Sequence, residues 1–187
     1  MIPQAMEILG GLFGLSELLL ALVKRSGKGS VSKDRGSLWM LWAVILVSVG
    51  LSNASAVLVP RAHSGVLHAA RFVGAALLLG GLSLRWRAII YLGRFFTVDV
   101  SVAADHKVVD SGPYRLIRHP SYAGALIAFL GLGICSENLV SALVLVLPIT
   151  LAFLRRIAIE EEAMREALGG EYLAYAARTK RLIPWVY

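Results

Sequence analysis

Four long apolar runs constrain the fold of this chain more than any other feature of its sequence. They cover approximately residues 3–23, 38–59, 66–84 and 122–154. A helix needs roughly 20 apolar residues to cross the hydrocarbon core of a bilayer, and each of the first three runs has about that length. With 57% hydrophobic and only 17% charged residues, the chain has too little charge for the surface of a soluble domain. The sequence therefore predicts a multi-pass integral membrane protein.

The fourth run is too long for one span. A single helix over its roughly 33 residues would overshoot a hydrocarbon core of roughly 30 Å at a rise of about 1.5 Å per residue. The polar residues at 135–138 divide the run, and Pro148 is expected to kink its second part. We therefore predict an all-α protein with about five transmembrane helices, the last two forming a tight helical hairpin, in one polytopic domain of residues 1–187.

The positive charges of the loops set the expected orientation. Clusters of lysine and arginine follow the first, third and fifth predicted spans, at residues 24–35, 85–87 and 155–156. The connection at 60–68 has Arg61 as its only formal charge. Because cytoplasmic loops are rich in lysine and arginine, we expect the amino terminus outside and the carboxyl terminus in the cytoplasm. No basic segment precedes the first apolar run, so no removable signal peptide is predicted.

The net charge of +7 does not indicate a nucleic-acid partner. The basic residues lie in short clusters between apolar runs and not along one soluble face, so membrane topology explains them. His63 and His68 are five residues apart, off a common helical face, and no cysteine or carboxylate joins them. No metal site is therefore predicted, and the partner indicated by composition is the lipid bilayer.

A polar, aromatic and cation-rich segment at residues 112–122 precedes the fourth run: Gly-Pro-Tyr-Arg-Leu-Ile-Arg-His-Pro-Ser-Tyr. Pro120 suits the first turn of a helix, which places His119 at the N-cap. The first amides of a helix and its dipole favour an anion, such as the carboxylate of a ligand. Tyr114 and Tyr122 offer ring faces to a cation within about 6 Å. The segment suits a zwitterionic ligand with a cationic centre, and an ordinary juxtamembrane linker is the alternative.

Two groups of charged residues lie within or beside apolar runs. Glu7 and Glu17 are in the first run, where a carboxylate is costly and by default functional. The alternatives place Glu7 at the interface and pair Glu17 with a basic residue between helices. Arg156 and Glu160 are four residues apart and share a helical face, whereas Glu161 is rotated by about 100°. An ordinary surface ion pair is the alternative for this second group.

Two blocks in the second half of the chain resemble one known family. The first is His106-Lys107-Val108-Val109 followed by Gly112-x-Tyr114-x-x-x-Arg118-His119-Pro120-Ser121-Tyr122, and the second is Arg156-x-x-x-Glu160-Glu161 followed by Gly170-Glu171-Tyr172-x-x-Tyr175 and Pro184. Their combination resembles the isoprenylcysteine carboxyl methyltransferase family, integral membrane enzymes that use S-adenosylmethionine. The resemblance covers roughly residues 85–187. It implies a methyltransferase-like catalytic part over 85–187, which follows the three N-terminal spans that the apolar runs predict over 1–84.

The resemblance also implies roles for particular residues. Glu160 matches the carboxylate that contacts the cofactor. Arg156 and Glu161 are the catalytic candidates: Arg156 matches the arginine that meets the substrate near the methyl-accepting atom, and Glu161 matches a second glutamate whose role stays open. The other matched positions surround the cofactor: His106, Lys107, Val108, Val109, Tyr114, His119, Pro120, Ser121 and Tyr122. A cytoplasmic cofactor pocket formed by the 91–121 connection and the C-terminal helices is implied.

The implied reaction is direct transfer of a methyl group from S-adenosylmethionine to a lipophilic small molecule or prenylated substrate. Alignment of donor and acceptor would supply most of the rate. A carboxylate acceptor, such as that of an isoprenylcysteine, is favoured because its reference pKa of about 4 makes a general base unnecessary at neutral pH. An amine or phenol would need a base, for which Glu161 and His119 are the candidates.

Several other functions stay open on the sequence. Phospholipid N-methylation is the alternative among methyltransferases. Membrane reductases of the sterol-reductase type carry a similar arginine-histidine-proline-x-tyrosine block and use NADPH. A non-catalytic membrane scaffold or a small transporter is the alternative from another class, although the spans lack the repeat symmetry typical of transporters. Nothing in the sequence sets the oligomeric state.

Overall fold

The computed structural model describes residues 2–23, 31–32, 34, 36–59, 65–98, 100–102 and 107–187. The described part contains six α-helices: α1 (Ile2–Val23), α2 (Ser37–Leu58), α3 (Gly65–Leu92), α4 (Pro120–Cys135), α5 (Leu139–Leu168) and α6 (Gly170–Arg178). A two-residue antiparallel ladder pairs β1 (Val31–Ser32) with β2 (Ser101–Val102), and 3-10 turns span Gly93–Phe95 and Gly112–Arg115. Apart from that ladder and an isolated parallel bridge between Ile117 and Lys180, the described residues are helical or irregular, which confirms the all-α prediction.

Within the described residues, three helices are long and apolar enough to cross a bilayer, judged by length and composition. These candidate spans are Ser37–Leu58, Ala70–Phe95 and Leu139–Leu168. Two shorter apolar helices accompany them, Gly10–Ala21 within α1 and Pro120–Cys135, which is α4. The length and composition of these helices are therefore typical of a membrane protein. The number of about five spans stays a prediction.

The helix of the third apolar run continues further than the sequence predicted. We expected the span to end at Leu84, before the cluster Arg85-Trp86-Arg87, but α3 runs on to Leu92. No glycine or proline interrupts residues 82–92, and the helix ends where Gly93 adopts a φ of 59°. Arg85 consequently lies inside α3 and is only 6% exposed.

Glycines bring α3 and α4 into close backbone contact. A Cβ atom on Gly81 would lie 2.5 Å from the carbonyl oxygen of Gly124, and one on Gly131 would lie 2.5 Å from the carbonyl oxygen of Gly74. Small residues allow helices to pack this closely in membranes, where no hydrophobic force drives them together. The contact fixes the end of α3, which carries Arg85, against the start of α4.

A three-residue turn joins α4 to α5. Glu137 adopts a left-handed φ of 53°, and the side chain of Asn138 accepts a hydrogen bond from the Ser141 amide at 3.1 Å, which caps α5. Pro148 lies inside α5, which runs unbroken to Leu168. Helices α1 to α5 all contribute side chains to the buried core beside the site, among them Phe13, Leu41, Leu78, Phe129, Ile149 and Phe153.

Candidate functional site

The segment before α4 and the chain after α6 lie side by side. The amide of Arg118 donates to the carbonyl of Lys180 at 2.7 Å, and the amide of His119 donates to the carbonyl of Arg181 at 3.0 Å. Helix α4 begins at Pro120, as predicted, and His119 occupies the N-cap position without a side-chain cap hydrogen bond. Because the His119 amide already has a protein partner, an anion at this helix start would depend on the amides that follow it.

Glu161 joins α5 to both of these segments. Its carboxylate accepts hydrogen bonds from Arg118 at 2.8 Å, from Arg181 at 3.1 and 2.9 Å, and from Arg165 at 3.3 Å, and His119 Nε2 lies 3.4 Å away. The side chain is 1% exposed, so its charge is balanced by these partners and not by water. Glu161 therefore holds the C-terminal segment and the start of α4 in place.

Buried tyrosines tie α6 to the turn at 112–115. The Tyr175 hydroxyl donates to the carbonyl of Tyr114 at 2.8 Å, and the Tyr114 hydroxyl donates to the carbonyl of Ala88 at 3.3 Å. Burial raises the pKa of Tyr114, Tyr172 and Tyr175 well above the ordinary value of a phenol. Each phenol therefore keeps its proton at physiological pH and remains a hydrogen-bond donor.

The first cavity lies among the loop after α3, the start of α4, the end of α5, and α6. Most of its lining is apolar or aromatic, and its charged lining groups in the described part of the chain are the Glu160 carboxylate and the Arg118 guanidinium. Phe95, Phe96, Tyr172 and Tyr175 contribute aromatic rings. The arrangement combines opposite charges with ring faces, which is the set of groups that a zwitterion with a cationic centre requires.

Most residues predicted to surround the cofactor line this cavity. Seven of the ten do so: Val108, Val109, Tyr114, His119, Ser121, Tyr122 and Glu160. Lys107 is exposed and Pro120 is buried as the first residue of α4, and neither is among the lining residues. His106 lies outside the described residues. Of the two catalytic candidates, Arg156 lines the second cavity described below, whereas Glu161 lines neither cavity.

A second and much larger cavity opens between α1, α2, α4 and α5. Its volume is about 700 Å³, and its walls are mainly apolar, with Phe13, Leu41 and Phe129 among them. Charged groups are confined to the end nearest the first cavity, where Glu17, Arg85 and Arg156 line it. A long apolar space with charges at one end matches a ligand that has a hydrocarbon tail and a charged head.

The two cavities meet at Tyr122. This residue lines both of them, together with Phe96 and Thr97. The Tyr122 hydroxyl donates to Glu160 Oε2 at 2.7 Å, on the side of the first cavity, and accepts from Arg156 Nε at 3.1 Å, on the side of the second. His119 stacks on the Tyr122 ring at a centroid distance of 5.6 Å and an interplanar angle of 11°. One phenol thus links a carboxylate and a guanidinium that serve different cavities.

Arg156 forms hydrogen bonds to several of the segments around this junction. It is 1% exposed, and its NH1 group donates to Asp34 Oδ1 at 2.9 Å and to Ser37 Oγ at 2.8 Å, while NH2 donates to the carbonyl of Val98. Burial favours the neutral form of Asp34, but hydrogen bonds from the Leu38 amide and the Ser37 hydroxyl, together with the Arg156 charge, outweigh it and hold the pKa of Asp34 below its ordinary value. The start of α2 is therefore bound to α5 through Arg156.

Glu17 forms a two-pronged ion pair with Arg85. Arg85 Nε and NH2 each lie 2.5 Å from a different oxygen of the Glu17 carboxylate, and NH1 donates to Ser121 Oγ at 2.9 Å. The alternative that pairs Glu17 with a basic residue between helices is confirmed. The side chain of Glu7 lies outside the described part of the chain.

Sequence reasoning missed Arg85, Asp34, Phe96 and Thr97. Arg85 belongs to a basic cluster, which is typical of a loop at the end of a span. No local pattern marks the other three residues, because the fold brings them to Tyr122 from distant segments. Among the described residues, no three histidine, cysteine, aspartate or glutamate side chains form a metal-ligand group. The side chains of His63 and His68 are not among the described ones.

Comparison with known proteins identifies relatives of the second half of the chain. A family model described as phospholipid methyltransferase matches residues 69–171. Protein-S-isoprenylcysteine O-methyltransferase B of Arabidopsis thaliana is 35% identical over 115 residues, which cover 60% of this chain and 58% of that protein. Protein-S-isoprenylcysteine O-methyltransferase A of the same plant is 36% identical over 115 residues, with the same two coverages of 60% and 58%.

A solved structure is similar as well. The eukaryotic intramembrane Ras methyltransferase, an isoprenylcysteine carboxyl methyltransferase, superposes with a TM-score of 0.64 at 26% identity. The match covers 78% of this chain and 52% of that structure. The chain thus spans between half and three fifths of the length of these relatives. Together with the apolar helices, the intramembrane relative indicates an integral membrane protein.

Proposed function

Because this chain belongs to the phospholipid methyltransferase family, we propose that it is a membrane-embedded methyltransferase. It transfers a methyl group from S-adenosylmethionine to a carboxylate on a lipophilic acceptor of the isoprenylcysteine type. The curated relatives that act on isoprenylcysteine and the intramembrane Ras methyltransferase support this function. They do not favour an NADPH-dependent reductase or a non-catalytic scaffold.

The observation that carries the proposal is the meeting of two unlike cavities at Tyr122. The first is lined by Glu160, Arg118 and aromatic rings, and the second is long and apolar with arginines at one end. A polar donor and a lipophilic acceptor can therefore approach each other from opposite sides of one residue. Holding two reactants in line at such a junction supplies most of the rate of a displacement reaction.

The groups around the first cavity fit the donor. The Glu160 carboxylate suits an ammonium group or ribose hydroxyls, the Arg118 guanidinium suits a carboxylate, and the Tyr114 and Tyr122 ring faces suit a positive centre. When bound, S-adenosylmethionine would supply a methyl group on a positively charged sulfur, and the neutral thioether that remains after transfer is a good leaving group. Arg118 is held by Glu161 through Nε and by the carbonyls of Ala176 and Thr179 through NH1, which leaves NH2 for a ligand. Tyr122 is held by its bonds to Glu160 and Arg156.

The charges around the second cavity favour an anionic acceptor. Arg156 and Arg85 both line its charged end, beside Glu17, and we infer that the two guanidinium groups together attract the acceptor carboxylate to the junction. A carboxylate is ionised at neutral pH and needs no base. An amine or phenol would need one, but Glu161 is enclosed by arginines and lines neither cavity, and His119 lines only the first cavity, where its Nε2 lies 3.4 Å from Glu161. The site is therefore better suited to ester formation than to N-methylation.

We also propose a topology in which α1 to α5 cross the bilayer and α4 with α5 forms a tight hairpin. Helix α4 has 16 residues and is about 24 Å long, slightly less than the hydrocarbon core. The arginines at 85, 87, 118, 155 and 156 cluster at the end of the molecule that carries both charged cavity regions. By the positive-inside rule this end faces the cytoplasm, and we assign the catalytic part of the chain to residues 85–187, whose charged cavity regions lie at this end.

Calorimetric binding of S-adenosylhomocysteine to the detergent-purified protein tests the donor site. We expect micromolar affinity that falls roughly tenfold or more in Glu160→Gln, because a charge-assisted hydrogen bond is lost, and that also falls in His119→Ala. Glu171→Gln is the control, since Glu171 is exposed and is not among the lining residues of either cavity. Binding of NADPH without binding of S-adenosylhomocysteine would replace the methyltransferase proposal with a reductase.

A further inference from the structure

We propose that Arg85 binds the anionic group of the lipophilic acceptor, and that the Glu17 carboxylate occupies this position until the acceptor displaces it. This inference rests on the proposed function and extends it to α1, which lies outside the family match at residues 69–171. The ligand class is a carboxylate on an isoprenoid or comparable hydrocarbon tail.

The geometry of the pair is that of carboxylate recognition. Arg85 presents Nε and NH2 as a fork to the two oxygens of Glu17, each at 2.5 Å. Such bidentate contacts are the way in which arginine selects planar carboxylates. Both side chains line the charged end of the large cavity. A ligand carboxylate in that cavity would therefore meet a guanidinium that is already arranged to receive it.

Arg85 also lies next to the site of reaction. Its NH1 group donates to Ser121 Oγ at 2.9 Å and to the Ser121 carbonyl at 3.2 Å. Ser121 lines the first cavity, and the following residue, Tyr122, lines both. These bonds fix the other two nitrogen atoms of Arg85, Nε and NH2, beside the junction where donor and acceptor are proposed to meet.

Arg85 and Arg156 differ in their hydrogen-bond partners. The hydrogen bonds of Arg156 go to Asp34 and Ser37 at the start of α2, to the Val98 carbonyl and to Tyr122, which come from three separate parts of the chain. The fork of Arg85 is filled by one side chain that itself lines the cavity. Exchanging Glu17 for a ligand carboxylate replaces one anion by another, so the guanidinium is never left buried without a partner.

Helix α1 is suited to release Glu17. Its exposed side chains include Leu12, Leu15, Leu18 and Leu19, each more than half exposed within the described structure. Its described contacts include Phe13 against Phe129, at a centroid distance of 5.0 Å, and Leu20 is buried as well. Because α1 lies at the periphery of the described structure, a small outward movement of the segment that carries Glu17 is enough to withdraw this side chain from the cavity.

The exchange also makes the site bind the substrate in preference to the product. Methyl transfer forms an oxygen–carbon bond on the acceptor and breaks the sulfur–carbon bond of the donor, which leaves a neutral ester and a neutral thioether. The ester no longer carries the charge that competes with Glu17. Glu17 therefore returns to Arg85 after the reaction and favours release of the product.

Equilibrium binding with two acceptor probes tests the proposal. The probes are N-acetyl-S-farnesylcysteine and its carboxamide, which has no charge, each titrated in the presence of S-adenosylhomocysteine. We expect the wild type to prefer the acid, Arg85→Gln to lose roughly tenfold or more in affinity for the acid alone, and Glu17→Gln to bind the acid severalfold more tightly. Affinity for S-adenosylhomocysteine should stay unchanged in Glu17→Gln, which shows that the donor site is intact in that variant.

The matched controls are Arg71→Gln and Glu137→Gln. These residues form a similar two-pronged ion pair at the opposite end of α3, and neither is among the lining residues of the large cavity. They should leave the preference for the acid unchanged. If Arg85→Gln fails to fold, Glu17→Gln, which is nearly isosteric, still tests the proposal. If the Glu17–Arg85 pair only supported the structure, breaking it would weaken binding of the acid, whereas the proposal expects tighter binding.

Three outcomes would overturn the inference: an acid preference that survives in Arg85→Gln, unchanged or weaker acid binding in Glu17→Gln, or a wild type that binds neither probe. The proposed function fails in a different way. If the wild type does not bind S-adenosylhomocysteine but prefers the acid through Arg85, methyl transfer is refuted and the anion site stands.

Discussion

Tyr122 illustrates how single residues define this site. Its hydroxyl joins Glu160 to Arg156, and its ring stacks on His119 and contacts Phe153 at a centroid distance of 5.2 Å. The ring thereby separates the two cavities while the hydroxyl sets the positions of the charged groups on either side. Removing the hydroxyl should disturb catalysis more than folding.

Tyr122→Phe is expected to lower kcat/KM for methyl transfer roughly tenfold or more, because one hydrogen bond to each of two charged groups is lost at a cost of about 1–3 kcal/mol. The ring and its stacking remain, so the thermal unfolding temperature should fall only slightly. Tyr91→Phe is the control, since Tyr91 is 47% exposed. An unchanged rate in Tyr122→Phe would remove Tyr122 from the proposed junction.

Asp34 predicts a specific dependence of stability on pH. Its folded-state pKa lies below the ordinary value of 3.8, so its bonds to Arg156 and to the start of α2 contribute stability that is complete above about pH 4. That contribution is lost as the pH falls through the lower folded-state pKa. Thermal unfolding between pH 6 and pH 3 should show a steeper acid decline for the wild type than for Asp34→Asn.

The exposed pair of Asp110 with Arg178 provides the control for this pH series. Asp110 is half exposed, and ion pairs in that setting contribute little. Asp110→Asn should therefore keep the acid decline of the wild type. Identical profiles for Asp34→Asn and the wild type would show that Asp34 does not couple protonation to the packing of α2 on α5.

At the scale of the elements, the contact of α3 with α4 positions the site. It holds Arg85 of α3 beside Ser121 of α4 through glycine backbones that leave no space for a side chain. The second important element contact is the hub at Glu161, which binds the C-terminal segment to α4 and α5. Each contact predicts a distinct consequence when it is broken.

Neighbouring glycines in α3 should respond in opposite directions to alanine. A Cβ on Gly81 would lie 2.5 Å from the Gly124 carbonyl oxygen, whereas a Cβ on Gly80 meets nothing within 4 Å. Gly81→Ala is expected to destabilise the protein by about 1–3 kcal/mol through overpacking. Gly80→Ala should stabilise it by about 0.5–1 kcal/mol through helix propensity. Denaturation in detergent measures both, and equal effects would contradict the described helix contact.

Glu161→Gln should loosen the C-terminal segment. The change leaves Arg118 and Arg181 without their buried counter-charge, which costs about 3–5 kcal/mol. Hydrogen exchange of residues 179–187 should accelerate and methyl transfer should decline with it, while Glu171→Gln leaves both unchanged. Loss of methyl transfer with unaltered exchange would instead return Glu161 to the role of a catalytic group.

At the scale of the whole molecule, local patterns predicted the helices better than the contacts between them. Pro120 marked the start of α4 because proline fits a first helical turn, and the apolar runs marked the membrane-spanning class. Helix α3 continues to Leu92, past the end at Leu84 that was predicted for its membrane span, and the sequence gives no sign of this because the partners of Arg85 are distant. Those partners, Glu17 and Ser121, are 68 and 36 residues away, and no short-range pattern connects them.

The same distinction applies to the site. The resemblance supplied Glu160, Tyr122 and Arg156, and the fold brings these three together. It supplied no role for Asp34, Thr97 or Arg85, since these lie on segments whose positions depend on tertiary packing. The apolar cavity likewise arises from four helices jointly, and its shape follows only from how they pack.

The proposed function is tested most directly by transfer of a labelled methyl group from S-adenosylmethionine to N-acetyl-S-farnesylcysteine, with phosphatidylethanolamine as the competing acceptor in the same vesicles. We predict label in the farnesylcysteine product, released as volatile methanol by mild alkali because the product is a methyl ester, and loss of that label in Glu160→Gln. Label that stays in the phospholipid head group and resists alkali would contradict a carboxylate acceptor, and no transfer to either acceptor would contradict the methyltransferase itself.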